Sequence, residues 1–230
     1  MTAYLIGKNA IFEVYKKAKK RFICIYTHKP RDVFLKQLEG VPVEFKSKDV
    51  LTKIAKSESH QGFVAKIKPK SFVTPYELFQ KDLIVALDEI QDPHNLGAIL
   101  RACECFGVEG VVFSKNRGSP LTSVVAKTSQ GALEILDLCE VSNLATTLDQ
   151  FKKQDFEVIG ADLSQDAHNV FDFSFPKKCV LVLGKESGMR HLLKKKCDQL
   201  VYIPMFGQID SLNVSQATAT LLAFYRAFFT

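Results

Sequence analysis

Short apolar runs alternate with segments whose apolar residues recur every three to four positions, and this alternation continues along the whole chain. In the second half the runs Leu83–Leu87 ("LIVAL"), "GVVFS", "FEVIGADL", "CVLVLG" and "LVYIPM" predict strands. Between them, Leu96, Ile99, Leu100 and Cys103 fall on one helical face, "SNLATTLDQFKKQ" reads as a capped helix and "NVSQATATLLAFYRAFF" as a terminal one. "SPLTSVVAKTSQGALE" offers Ser119 as a cap with Pro120 at the first helical position. Runs as continuously apolar as Val180–Leu183 suit strands covered on both faces, so the expected class is α/β with a parallel sheet covered by helices. The first 70 residues repeat the alternation on a smaller scale. Ala10, Ile11, Val14, Tyr15 and Ala18 predict a helix, "RFICIYT", "VPVEF" and "GFVAKIK" strands, and "KDVLTKIAKS" a second helix. "RDVFLKQLEG" reads as a further helix ended by Gly40.

Charge separates the two halves. Residues 1–70 hold sixteen Lys and Arg against six Asp and Glu, a balance of +10; residues 71–230 hold fifteen against nineteen, a balance of −4. A basic module 1–70 is thus expected ahead of a mildly acidic module 82–230. The stretch 71–81, inside the two-proline segment "KPKSFVTPYELFQK", is expected to be a linker. A basic face attracts polyanions, nucleic acid above all, although lysine-rich faces are also common as plain solvated surface. No apolar run has membrane-spanning length and the start lacks a signal-peptide layout, so no membrane partner and a cytoplasmic location are expected. The six cysteines form no C-x-x-C pair and the five histidines show no ligand spacing, so no metal is expected and the thiols are read as reduced. The G-x-G-x-x-G, Walker and G-x-S-x-G patterns are absent.

Three predicted strands run into loops with polar residues that a bare core does not need. After "LIVAL" comes "DEIQDPHNLGAILRAC", where Asn95 is placed to cap a helix that carries Arg101 on its buried side. "LVLGKESGMR" leaves its strand through Gly184, Glu186 and Gly188, and "IPMFGQIDSLNVSQA" through Pro204 and Gly207 to Ser211, Leu212 and Asn213. Ligands of open α/β sheets bind at such carboxyl strand ends, and three convergent loops predict a pocket. Each residue also has a plain structural reading. Asn95, Ser211 and Asn213 are competent helix caps, Glu186 suits a helix N-terminus, and the stem of Arg101 can cover apolar surface.

The stretches "QDPHNLGAILRAC…FGVEGVVF", "LVLGKESGMR" and "IPMFGQIDSLNVSQATATLL" together resemble the three motifs of the SpoU, or TrmH-type, ribose 2′-O-methyltransferases of the SPOUT superfamily, in order and across the whole second module. The basic first module, with "HQGFVAKIKP", resembles the substrate-binding domain joined to many members. The resemblance implies a sheet tied by a trefoil knot and transfer of a methyl group from S-adenosylmethionine to an RNA ribose 2′-hydroxyl. It also implies a homodimer built through the last helix, whose apolar stripe Leu221, Leu222, Phe224, Tyr225, Phe228 and Phe229 exceeds one face. Carried over by position, Asn95, Arg101, Glu186, Ser211 and Asn213 form the catalytic set, and Gly184, Ile203 and Leu212 supply backbone contacts to the cofactor. The stretch Gly184–Gly188 is one residue shorter than the pattern of many relatives. "VAKTSQGALE" and the basic module resemble the large-subunit rRNA guanosine enzymes more than the tRNA enzymes. A tRNA substrate, or an inactive RNA-binding assembly factor of the same fold, are the alternatives.

Overall fold

A computed structural model describes residues 3–185 and 187–229. The chain divides into two compact units: residues 1–71 with 130–135, and residues 72–129 with 136–230.

The first unit is a four-stranded mixed sheet in the order β1-β4-β2-β3. Its elements are β1 (Ala3–Ile6), α1 (Lys8–Ala18), β2 (Phe22–Thr27), β3 (Val43–Phe45), α2 (Lys48–Ala55) and β4 (Phe63–Ile67). β4 is antiparallel to both β1 and β2, whereas β2 and β3 run parallel. Ile11 and Val14 of α1 pack with Ile25, Phe63, Ala65 and Ile67 of the sheet. α2 is capped by the Ser47 side chain and buries Leu51 and Ala55 against Val64. The helix expected over "RDVFLKQLEG" is only a 3-10 turn, Val33–Gln37. Asp32 divides its carboxylate between the Phe34 amide and Lys8, and Phe34 is the turn's buried residue. One buried anchor holds a single turn but gives no apolar stripe on which a longer helix could dock.

The second unit comprises α3 (Pro75–Leu78), β5 (Leu83–Leu87), α4 (Pro93–Cys105), β6 (Gly110–Ser114) and α5 (Ser123–Thr128). Then α6 (Ala132–Ile135) returns to the first unit. The second unit resumes with β7 (Leu138–Val141), α7 (Leu144–Lys152), β8 (Glu157–Ala161), β9 (His168–Asn169), β10 (Cys179–Leu183), α8 (His191–Lys194), β11 (Gln199–Tyr202) and α9 (Val214–Ala227). Seven strands form one sheet, β7-β6-β5-β10-β8-β11-β9, and every adjacent pair is parallel. The expected parallel sheet is therefore present, and all its carboxyl strand ends lie along one edge. All five residues of β5 and of β10 are buried, as two-sided cover requires.

The stretch expected to be a linker contains α3. A capping box joins Thr74 and Glu77, and Leu78 and Phe79 enter the core beside Phe151 and Val112. The helix after β6 starts at Ser123, with Thr122 rather than Ser119 at the cap position; Pro120 instead accepts the Thr122 amide in a turn. Gly97 of α4 is required by packing, since a Cβ there would lie 2.6 Å from Cβ of Thr128 on α5.

Candidate active site

At the carboxyl ends of β8, β10 and β11 lies a cavity of about 480 Å³, within the range of small-molecule sites. Leu183, Val201, Ile203, Leu212, Val214 and Leu221 give it apolar walls; Asp162, Ser164, Asp210 and Ser211 give it polar groups. Gly184, Ile203 and Leu212, the three positions expected to meet a cofactor through their backbone, all line it, as does Ser211. Gly184 has a steric reason to be glycine. The chain leaves β10 and turns back at Gly188 (φ 94°), so that a Cβ on Gly184 would lie 2.5 Å from the Met189 nitrogen. The Gly188 amide closes that turn on the Lys185 carbonyl at 2.8 Å. Glu186 lies outside the described residues.

A hydrogen bond joins the first and third motifs. The Asn213 side-chain amide donates to Asn95 Oδ1 at 2.9 Å. Asn213 Oδ1 meanwhile caps α9 by accepting from the Ser215 amide at 2.8 Å, the structural role its sequence position suggested. Asn95 does not cap α4. Asp92 caps it by accepting from the His94 amide at 2.8 Å, with Pro93 as the first helical residue, and Asn95 is the third residue of the helix and buried. A proline preorganised for the first helical position starts the helix three residues earlier than a cap at Asn95 would. Arg101, expected on the buried side of α4, is exposed. It is six residues beyond Asn95, about 9 Å along the helix axis. Ser211 is exposed and its hydroxyl donates to Asp210 at 3.3 Å.

Sequence reading missed a fourth loop, Ala161–Ser164 after β8, which lines the same cavity. The Asp162 carboxylate accepts from the Ser164 amide and from Lys194, both at 2.9 Å. The Ser164 hydroxyl oxygen is buried with no hydrogen-bond partner among the described residues. An orphaned polar atom in a cavity wall fits a site shaped for a ligand with polar atoms of its own. Nothing in "ADLSQDA" flags this role: it has no glycine and matches no motif. Also missed were Asp88 and Arg190, an ion pair at 2.7 Å where β5 ends, with Asp88 buried and Arg190 partly exposed.

No group of three or more His, Cys, Asp or Glu side chains among the described residues is arranged to hold a metal. All six cysteines are free thiols. Burial pushes the Cys179 and Cys197 thiols up to about 12, which leaves them protonated and unreactive. No helix among the described residues is long and apolar enough to cross a membrane.

An all-parallel sheet with a half-apolar cavity at its carboxyl edge defines an α/β enzyme that binds a small organic cofactor or substrate. The SpoU rRNA Methylase family profile matches residues 82–223, and the profile of the RNA 2′-O ribose methyltransferase substrate-binding domain matches residues 4–73. The chain belongs to the SpoU rRNA methylase family and is an RNA methyltransferase. It is 34% identical to the putative TrmH family tRNA/rRNA methyltransferase YacO of Bacillus subtilis, over 95% of this chain and 93% of that one. It is also 34% identical to the 23S rRNA (guanosine-2′-O-)-methyltransferase RlmB of Pasteurella multocida, over 96% of each. Its fold matches that of the SpoU methyltransferase AviRb from Streptomyces viridochromogenes, solved in complex with AdoMet. There the TM-score is 0.82 at 21% identity, covering 100% of this chain and 91% of that one.

Proposed function

We propose that the chain transfers the methyl group of S-adenosylmethionine to the ribose 2′-hydroxyl of a guanosine in large-subunit, 23S-type rRNA. The observation that carries the cofactor assignment is the cavity, since the three positions expected to meet S-adenosylmethionine all line it. Its apolar walls suit an adenine ring. Ser164, Asp162, Asp210 and Ser211 offer partners for the ribose and the charged amino-acid end. The rRNA assignment is supported by relatives such as the P. multocida enzyme, which match both units rather than the second alone.

When bound, the cofactor supplies a methyl group already activated by a sulfonium charge. The chain must align the ribose oxygen with that methyl and relieve the oxygen of its proton. Arg101 is exposed on α4, and a guanidinium offers five N–H donors and no acceptor. It therefore acts as a clamp on the target phosphate and on charge developing at the 2′-oxygen, not as the base. Asn95, held by Asn213, orients the ribose from the first turn of α4. Glu186 and Ser211 complete the polar set, and the proton passes to water or to an RNA phosphate.

The units divide the work: the basic first unit grips RNA and the second performs the transfer. The enzyme works in the cytoplasm, as a homodimer joined through α9 and the loop before it. What supports the dimer is exposed apolar surface there: Phe206, Ile209, Phe228 and Phe229 are 88%, 77%, 48% and 40% exposed. The carboxyl-terminal chain ties the trefoil knot of the family. Calorimetry with S-adenosylmethionine, joined to mapping of 2′-O-methyl marks in rRNA and tRNA from a deletion strain, tests the function. Loss of one guanosine mark in 23S rRNA is expected, and loss of a tRNA mark alone would redirect the assignment. Sedimentation showing a monomer at micromolar concentration would remove the dimer.

A further inference from the structure

β5 and β10 are parallel neighbours with Leu87 opposite Leu183, and the chain exits both at the same height. The next amide, that of Asp88, donates to the Leu183 carbonyl at 2.8 Å. The Asp88 side chain is only 1% exposed. Its Oδ2 accepts from the Arg190 backbone amide at 3.0 Å and its Oδ1 from Arg190 Nε at 2.7 Å. Glu89 follows in the left-handed region (φ 58°). Its carboxylate receives Lys185 at 3.1 Å, Arg117 from the loop after β6 at 2.9 Å, and Arg190 at 3.4 Å. Arg117 first, and then Lys185, hold the Glu89 carboxyl below the usual carboxylate range.

Two adjacent carboxylates at the end of β5 thus hold Lys185 and Arg190, the cations on either side of the turn that forms one cavity wall. Lys185, Ser187 and Gly188 of that turn line the cavity. A buried ion pair is a weak source of net stability, because apolar residues of similar volume fill such a place as well. What an apolar pair lacks is direction. The bonds to the Arg190 backbone and guanidinium fix where the chain re-enters after the turn. Displacements on the order of 1 Å in positioning groups are enough to degrade a site.

We propose that Asp88 and Arg190 are positioning residues that hold Lys185, Ser187 and Gly188 where they bind the cofactor, so that cofactor affinity depends on a pair set outside the cavity lining. This rests on the reading that the cavity takes S-adenosylmethionine. The pair touches neither cofactor nor RNA; it sets the wall that does.

Full-length Asp88→Asn, Arg190→Met and Arg190→Lys proteins test this by calorimetry with S-adenosylmethionine at a temperature well below each melting point. Binding to a 23S rRNA transcript, and single-turnover transfer at saturating cofactor, are measured in parallel. Asp88→Asn and Arg190→Met should raise the cofactor Kd on the order of tenfold or more. RNA affinity should stay within about threefold of wild type, a split that general destabilisation does not produce, while the saturated rate should fall because Glu186 belongs to the same turn in sequence. Arg190→Lys keeps the backbone bond and one charge, and should fall between. Folded variants with wild-type cofactor Kd would overturn the positioning role even if their melting temperatures drop. A wild-type protein that does not bind S-adenosylmethionine would overturn the cavity reading, and the positioning role with it.

Discussion

The two units are written in the same alternation of strands and helices, yet their sheets are built differently, and the second holds a cavity at one sheet edge. The difference lies in strand direction. In the first unit β4 runs against β1 and β2, so carboxyl and amino strand ends are interleaved along each edge. In the second unit all seven strands run one way. The loops after β8, β10 and β11 therefore emerge together, with α4 and α9 joined beside them by Asn95 and Asn213. Charge is distributed the other way, with +10 on residues 1–70 and −4 on the rest. One unit has a net positive charge, which attracts polyanions; the other has the concave, half-apolar site that small ligands need.

The strongest challenge to this division is Arg101. As a clamp on the RNA, Arg101→Ala should lower single-turnover transfer on the order of 10²- to 10³-fold, as loss of one aimed charge-stabilising donor does. Cofactor affinity should stay near wild type, and Arg101→Lys should recover only part of the rate. A destabilised Arg101→Ala protein with a near-normal rate would show that the residue merely covers its helix.

A smaller effect is expected from the first unit. Lys29, Arg31 and Lys48 are exposed in the loops after β2 and at the start of α2. Replacing all three with Ala should weaken rRNA binding about tenfold to a hundredfold. The slope of log affinity against log salt should fall by about 2 to 3, because each phosphate contact contributes about 0.9 to it. Cofactor affinity should not change. If it changes while the RNA slope does not, the division of labour is wrong.

Gly184→Ala probes the second unit alone. The added Cβ has no room beside Met189, so cofactor affinity should fall roughly tenfold, with a lower melting temperature and unaltered RNA affinity. The smallest effect concerns acid. Glu89 has a folded pKa below its ordinary value of 4.5. Its ion pairs therefore contribute stability fully above that value, and lose it as pH falls through the folded pKa. Glu89→Gln should flatten the acid limb of a melting-temperature profile below about pH 4.5 and leave the neutral region parallel to wild type.

The strands most legible in the sequence were those buried on both faces. Leu83–Leu87 and Cys179–Leu183 are continuous apolar runs because helices cover both sides. Leu138–Val141 went unread because Glu140 interrupts four residues that have no period of their own, and His168–Asn169 because a two-residue strand has no pattern at all. At the site, the loops after β10 and β11 were legible as cavity walls, whereas the loop after β5 supplies no residue to the cavity lining and meets the third motif through Asn95 and Asn213. Two things were not legible. Arg101 faces solvent because it lies off the buried stripe of Leu96, Ile99, Leu100 and Cys103, about 100° of helix turn beyond Leu100. The Asp88–Arg190 pair joins residues 102 apart in sequence, a contact that only the pairing of β5 with β10 creates.

The central claim is methyl transfer to a ribose of rRNA by a site whose cofactor lies in the second unit. Its most direct test is incubation of the full-length protein with radiolabelled S-adenosylmethionine and, separately, in vitro transcribed 23S rRNA and tRNA, followed by nuclease digestion and identification of the labelled nucleoside. The account predicts label in 23S rRNA as a single 2′-O-methylguanosine, with none in tRNA. Tight cofactor and RNA binding without transfer to either RNA, or label confined to tRNA or to a base rather than a ribose, would contradict it.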